Sequence, residues 1–97
     1  MKIFISQPMS GKTEEEIFKE KDLAVERLKE IFGEDVEILH SYSREDKPSL
    51  YLLGEALKIM SEADAVMFLD GWEKSKGCQI EYECARRYNI VCLEIGY

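Results

Sequence analysis

Ala65-Val66-Met67-Phe68-Leu69 is the strongest strand signal in the chain, and its reading decides the fold. Five apolar residues in a row leave no polar face, so both faces of this strand must be buried. Helices packed on either side of a parallel sheet bury strands in this way. Downstream lie a loop, Asp70–Lys76, a helix predicted over Gly77–Tyr88, and a last strand, Ile90–Glu94. Upstream, Pro48-Ser49 opens a helix carrying Leu50, Leu53, Leu57 and Met60, reached through a polar loop, Ser41–Lys47, from a strand at Val36–Leu39. Before that, the apolar run Lys2–Ser6 meets the breaker cluster Gln7-Pro8-Met9-Ser10-Gly11. Thr13 then opens a helix, with Glu16 three residues on as a capping-box partner. Ile17, Ala24, Leu28 and Ile31 form its apolar face, and Gly33 ends it. The order β-α-β-α-β-α-β with short connections predicts an α/β fold of three layers: a parallel sheet of about four strands with helices on both faces.

Ninety-seven residues make one domain, 1–97, with no repeat or Pro/Gly-rich linker to divide it. Twenty acidic residues against thirteen basic ones give a net charge of -7, which opposes binding of a long nucleic acid. The excess is local. The predicted first helix, Thr13–Phe32, carries seven acids against four bases, whereas Gln7–Lys12 sums to +1 and Asp70–Gly77 to zero. A small anionic ligand therefore stays compatible with the charge balance.

Cys78, Cys84 and Cys92 are odd in number and form no CxxC pair, so neither a disulfide framework nor a zinc site is signalled. Ile3-Phe4-Ile5 is too short for a signal-peptide core, and no apolar run approaches the roughly 20 residues of a membrane span. The sequence reads as a soluble cytoplasmic protein without metal or cofactor.

In open parallel sheets, ligands bind at the carboxyl ends of the strands. That rule selects the loops 6–12, 40–47 and 70–77. On a helical wheel, Ile80, Cys84, Ala85 and Tyr88 form an apolar arc with Glu81 in its middle, while Gln79, Glu83, Arg86 and Arg87 lie opposite. A carboxylate on the buried side of an early helical turn needs a reason, because desolvation without a partner is costly. It either meets the positive end of the helix dipole or serves as a nucleophile or general base. In the preceding loop, Ser75 and Gly77 either turn and cap the chain or let it approach a ligand oxygen. Trp72 is a base-stacking platform or a cover for the core, and Asp70 faces the ligand or caps its loop. Gly11-Lys12-Thr13 has the ending of a phosphate-binding loop but lacks its first glycine, Ser6 standing there instead. His40 ends the second strand at the expected ligand edge.

These residues carry a resemblance. Phe4-Ile5-Ser6-Gln7-Pro8-Met9-Ser10-Gly11, Ala63-Asp64-Ala65-Val66 and Ser75-x-Gly77-x-x-x-Glu81-x-x-x-Ala85 are similar to the signatures of the nucleoside 2-deoxyribosyltransferase superfamily. Gly71-Trp72-Glu73-x-Ser75-x-Gly77-x-x-x-Glu81 resembles in particular its short, phage- and prophage-associated branch of unknown function. The resemblance implies a flavodoxin- or Rossmann-like sheet and cleavage or exchange of an N-glycosidic bond. Glu81 would be the nucleophile; the candidates for the acid that helps the base depart are Asp70, Glu73 and His40, with Asp70 taken as the second catalytic carboxylate. Ser6, Gln7, Pro8, Met9, Ser10, Lys12, His40, Trp72, Ser75 and Gly77 would contact the substrate. Ser75 stands where the nucleoside-monophosphate glycosidases contact a 5'-phosphate. The implied partners are a small nucleoside or nucleotide and further copies of the chain, as a homo-oligomer; the alternative is a non-catalytic nucleotide-binding module. Three features depart from the pattern. Phe4 replaces a tyrosine whose hydroxyl supports the nucleophile, Ala56 replaces an acid, and the chain ends at Tyr97, before the segment that completes a neighbouring pocket in the transferases.

Overall fold

A computed structural model describes residues 1–39 and 46–94. Four strands, β1 (Lys2–Ser6), β2 (Glu37–Leu39), β3 (Ala65–Phe68) and β4 (Val91–Glu94), alternate with three helices, α1 (Glu14–Phe32), α2 (Ser49–Met60) and α3 (Lys76–Arg87). A short 3-10 turn, Trp72–Lys74, precedes α3. All strand pairs are parallel, in the order β2-β1-β3-β4. The three-layer α/β fold expected from the apolar run at 65–69 is therefore present, with element ends within a residue or two of those read from sequence.

The sheet order explains the layers. The connection from β1 to β2 runs one way across the sheet, and those from β2 to β3 and from β3 to β4 run the other way. Right-handed crossovers then put α1 on one face and α2 with α3 on the other. The register pairs Ile3 with Ala65, Phe4 with Val66, Ile5 with Met67 and Ser6 with Phe68. Alternate residues face opposite layers. Ile3, Ile5, Ala65, Met67 and Leu69 accordingly pack against Ala24 and Leu28 of α1. Phe4, Val66 and Phe68 pack against Ala56 and Met60 of α2 and Ala85 of α3. Ser6 shares the face of Phe4.

Thr13 caps α1, its hydroxyl accepting from the Glu16 N–H at 3.1 Å and donating to the Glu16 carboxylate at 3.1 Å. At the other end, Gly33 lies at φ 95°, a left-handed value that residues with a Cβ rarely adopt. Gly71, at φ 87°, turns the chain sharply after β3 and allows the close return toward α3.

The helices are buried along narrower stripes than the wheels suggest. Ile31 is exposed, and the stripe of α1 is limited to Ile17, Ala24 and Leu28. On α2, Ala56 and Met60 are buried while Leu50 is 77% exposed. On α3, the buried residues are Cys78, Glu81 and Ala85, whereas Ile80 and Tyr88 are 42% and 78% exposed. The predicted arc holds at Glu81 and Ala85, and the buried face is displaced toward Ala85 and Cys78. Ile80, at the far edge of the arc, is therefore left outside the contact, and Tyr88, near its middle on the wheel, follows the last residue of α3 and is exposed.

The narrow stripe of α1 has a measurable consequence. Leu28→Ala should cost about 2–5 kcal/mol in urea unfolding, the usual range for truncating a fully buried leucine. Ile31→Ala should cost about 1 kcal/mol or less, because its side chain is already in water. Equal costs would contradict the burial pattern.

Candidate active site

The strand order reverses between β1 and β3, and the crevice beyond their carboxyl ends is where open α/β sheets bind ligands. An open cavity of about 240 Å³ lies there. Ile5 of β1 and three further segments line it. Gln7, Met9 and Ser10 come from the loop after β1. Ser49, Leu52, Leu53 and Ala56 come from α2. Ser75, Gly77, Cys78 and Glu81 come from the start of α3.

Glu81 is the chemical centre. It is 7% exposed, yet it forms part of the cavity wall. Oε1 accepts a hydrogen bond of 2.6 Å from the hydroxyl of Ser6, itself fully buried at the end of β1. Oε2 receives no hydrogen bond from the described residues and is left to the cavity. Burial holds the Glu81 carboxyl above its ordinary pKa, and the Ser6 hydrogen bond offsets part of that rise.

This geometry revises the sequence reading at two points. Glu81 is the sixth residue of α3, in its second turn, beyond the free N–H groups of the helix start. Its partner is a side chain on the central strand, not the helix terminus. Phe4, the position where a supporting hydroxyl is missing, is fully buried in the core beneath α2 and α3. Two residues along the same strand face, Ser6 supplies such a hydroxyl. Ser6 thus lies beneath the cavity and acts on Glu81 instead of facing a ligand.

The other expected site residues divide clearly. Gln7, Met9, Ser10, Ser75 and Gly77 meet around Glu81 in the cavity wall. The Gln7 side-chain amide donates to the Ile17 carbonyl at 2.6 Å, which fixes the loop after β1 onto the first turn of α1. Ser75 caps α3, its hydroxyl accepting from the Cys78 N–H at 3.4 Å. Pro8 is outside the wall and lies near Gly71. Asp70 is exposed and outside the wall.

Trp72 covers the core: its ring lies 5.1 Å from Phe68 and 4.7 Å from Tyr82, and its N–H donates to Glu94 at 2.5 Å. Lys12 is held by Glu20 through both carboxylate oxygens, at 2.8 and 2.9 Å. His40 lies outside the described residues.

Cys78 and, on α2, Ser49, Leu52 and Leu53 were not anticipated as site residues, whereas Ala56, where the resemblance has an acid, does line the wall. Cys78 is buried beside Glu81, and desolvation pushes its thiol up despite the neighbouring Ser6 and Ser75 hydroxyls. A wheel centred on Glu81 already places Cys78 three residues away on the same side. Nothing local marks Ser49, Leu52 or Leu53, because their place in the wall depends on how α2 crosses the sheet. Among the described residues, no three His, Cys, Asp or Glu side chains gather as metal ligands. No helix among them is long and apolar enough to cross a membrane.

Residues 1–94 match a family described as a domain of unknown function, DUF4406. The chain belongs to that family. The match spans the sheet and all three helices, so the cavity and its walls lie inside the DUF4406 domain. No curated protein matches this DUF4406 chain.

The raised Glu81 pKa links the site to stability. Because the folded state holds this proton more tightly than the unfolded chain, the contribution of Glu81 is most favourable below the ordinary pKa of about 4.3. It is lost as pH rises through the folded-state value. Glu81→Gln removes that ionisation, so it should raise Tm relative to the natural chain at neutral pH, with the gap closing toward about pH 4. A constant gap across this range in thermal scans would contradict the desolvated carboxyl.

Proposed function

We propose that this protein cleaves or exchanges the N-glycosidic bond of a small nucleoside or nucleotide, with Glu81 as the nucleophile. The observation that carries the reading is the buried Glu81 carboxyl, anchored through one oxygen to Ser6 and open through the other to the cavity. The signature resemblance supplies the reaction class. Ser6 orients the carboxylate, and its hydrogen bond favours the ionised form required for attack.

In the reaction, Oε2 attacks the anomeric carbon as the carbon–nitrogen bond breaks. The bonding electrons leave with the base, which takes up a proton. Water, or the nitrogen of a second base, then displaces Glu81 from the anomeric carbon and loses its own proton. The carboxylate also stabilises the positive charge that develops on the sugar before each bond forms. The cavity is slightly smaller than the ~300–1,000 Å³ of drug-sized pockets, a scale suited to a sugar with its base partly in solvent.

The reading includes self-association. Its support lies in the edge strands β2 and β4, each paired on one side among the described residues, and in the exposed Leu50 and Tyr51 of α2.

One observation favours a second reading, a nucleotide-binding module without turnover. Glu81 is the sole carboxylate among the described residues of the cavity wall, and a departing base is normally helped by an acid. Asp70, expected as that second carboxylate, stands outside the wall.

Purified protein incubated with 2'-deoxynucleosides and their 5'-monophosphates should release free base, measured by chromatography. Glu81→Gln should lower the rate by at least about 10³-fold, consistent with loss of a covalent nucleophile. In the natural chain, kcat/KM should rise with pH through a midpoint above about 4.3, because attack requires the carboxylate and its pKa is raised. Saturable binding without base release would select the second reading. Unchanged release in Glu81→Gln would exclude Glu81 as the nucleophile.

A Cβ at Gly77 would meet no protein atom within 4 Å. Gly77→Ala should therefore preserve folding while reducing turnover if the substrate reaches the start of α3. Unaltered kcat/KM would place the substrate elsewhere in the cavity.

A further inference from the structure

We propose that Gln7 is a specificity-determining residue: its side-chain oxygen, fixed in the cavity wall, accepts a hydrogen bond from a sugar hydroxyl of the substrate. This inference rests on the N-glycosidic reading above and deepens it by naming the substrate group that the site selects. Gln7 lines the cavity and is 9% exposed. Its amide is held in one orientation. The Ile17 carbonyl can only accept, so the group that meets it at 2.6 Å is the amide nitrogen, and the oxygen is the end left over. Pro8, the next residue, has no N–H with which to fold back on that oxygen. Among the described residues no side chain donates to it, and no fully buried side-chain nitrogen or oxygen lacks a partner. The Gln7 oxygen is therefore still accessible, and the open space that Gln7 borders is the cavity.

The anchor to Ile17 is what makes Gln7 selective. A free amide can turn over and offer its N–H groups to an acceptor, whereas this one presents oxygen alone. The hydroxyls of Ser10, Ser49 and Ser75 in the same wall can donate or accept and so discriminate less. In the reading above Glu81 attacks the anomeric carbon, which brings the sugar into the cavity and sets its hydroxyls one ring away from that carbon. A hydroxyl arriving at Gln7 finds an acceptor already in place, with no side chain left to order. A hydrogen in its position leaves a nearly buried carbonyl oxygen without a donor, and the site pays the desolvation of that group unrewarded. A site built around a substrate hydroxyl rejects the analogue that lacks it for this reason.

The test is a cycle between the side chain and the hydroxyl, read as kcat/KM for base release from 2'-deoxyadenosine and from its analogues lacking the 3'- or the 5'-hydroxyl. The natural chain should discriminate against one analogue by at least about tenfold, which identifies the hydroxyl concerned. Gln7→Met removes the oxygen, and that ratio should fall to about twofold or less. A merely structural role, holding the loop to α1, would slow all three substrates alike and leave the ratio unchanged. Gln7→Asn, too short to reach both Ile17 and the ligand, should give the same collapse should the methionine variant fail to fold. Purine 2'-deoxyriboside, without the amino group of adenine, should keep its ratio to 2'-deoxyadenosine in both variants; a collapse of that ratio instead would assign Gln7 to the base and overturn the inference. Equal kcat/KM for the three sugars in the natural chain, or a ratio that survives in the variants, would also overturn it while leaving the N-glycosidic reading intact. Absence of base release would overturn that reading, and the same ratios taken from Kd by titration calorimetry would then decide the role of Gln7.

Discussion

The hydrogen bond from Ser6 to Glu81 joins the end of the central strand to the second turn of α3 across 75 positions of sequence. A glutamate at this depth is costly to ionise, and an acceptor without a donor would be costlier still. The pairing requires β1 to lie beside β3, α3 to return over the same sheet face, and Phe4 to sit one strand repeat below Ser6. Sheet order and register meet all three conditions. The same arrangement opens the crevice into which the carboxylate points. Fold and candidate chemistry therefore share one constraint.

The division of labour around the cavity follows from the layers. The sheet supplies a rigid floor and the Ser6 donor. α3 supplies Glu81, Cys78 and the capped start at Ser75, while α2 supplies an apolar wall through Leu52, Leu53 and Ala56. Lys12 is outside the wall, with its charge matched by Glu20. The result is an acid in an otherwise mostly uncharged enclosure. Such a setting strengthens electrostatic effects and raises the carboxyl pKa together.

Much of the architecture was legible because its signals are local. The unbroken run at 65–69 announced a doubly covered strand, Thr13 and Glu16 marked the start of α1, and the loop rule selected segments that supply much of the cavity wall. Glu81 stood out because its charge conflicts with its position on α3. Its partner was not legible. A wheel reports which side a residue faces, while only strand register shows that Ser6 lies opposite. The same limit explains Ile80 and Tyr88, apolar residues left outside a narrow contact, and Trp72, whose stacking on Phe68 and Tyr82 is tertiary. Lys12 likewise reads as a free cation until α1 places Glu20 beside it.

The central claim is that Glu81 is a carboxylate poised at a sugar carbon, with Ser6 holding it there. A crystal structure of the natural chain with a carbon-linked 2'-deoxynucleoside analogue, whose base cannot leave, would keep both Ser6 and Glu81 in place and test this most directly. The account predicts a Glu81 oxygen about 3–3.5 Å from the anomeric carbon, the distance of a near-attack arrangement. A nucleoside seated in the cavity with its anomeric carbon turned away from Glu81 would contradict it.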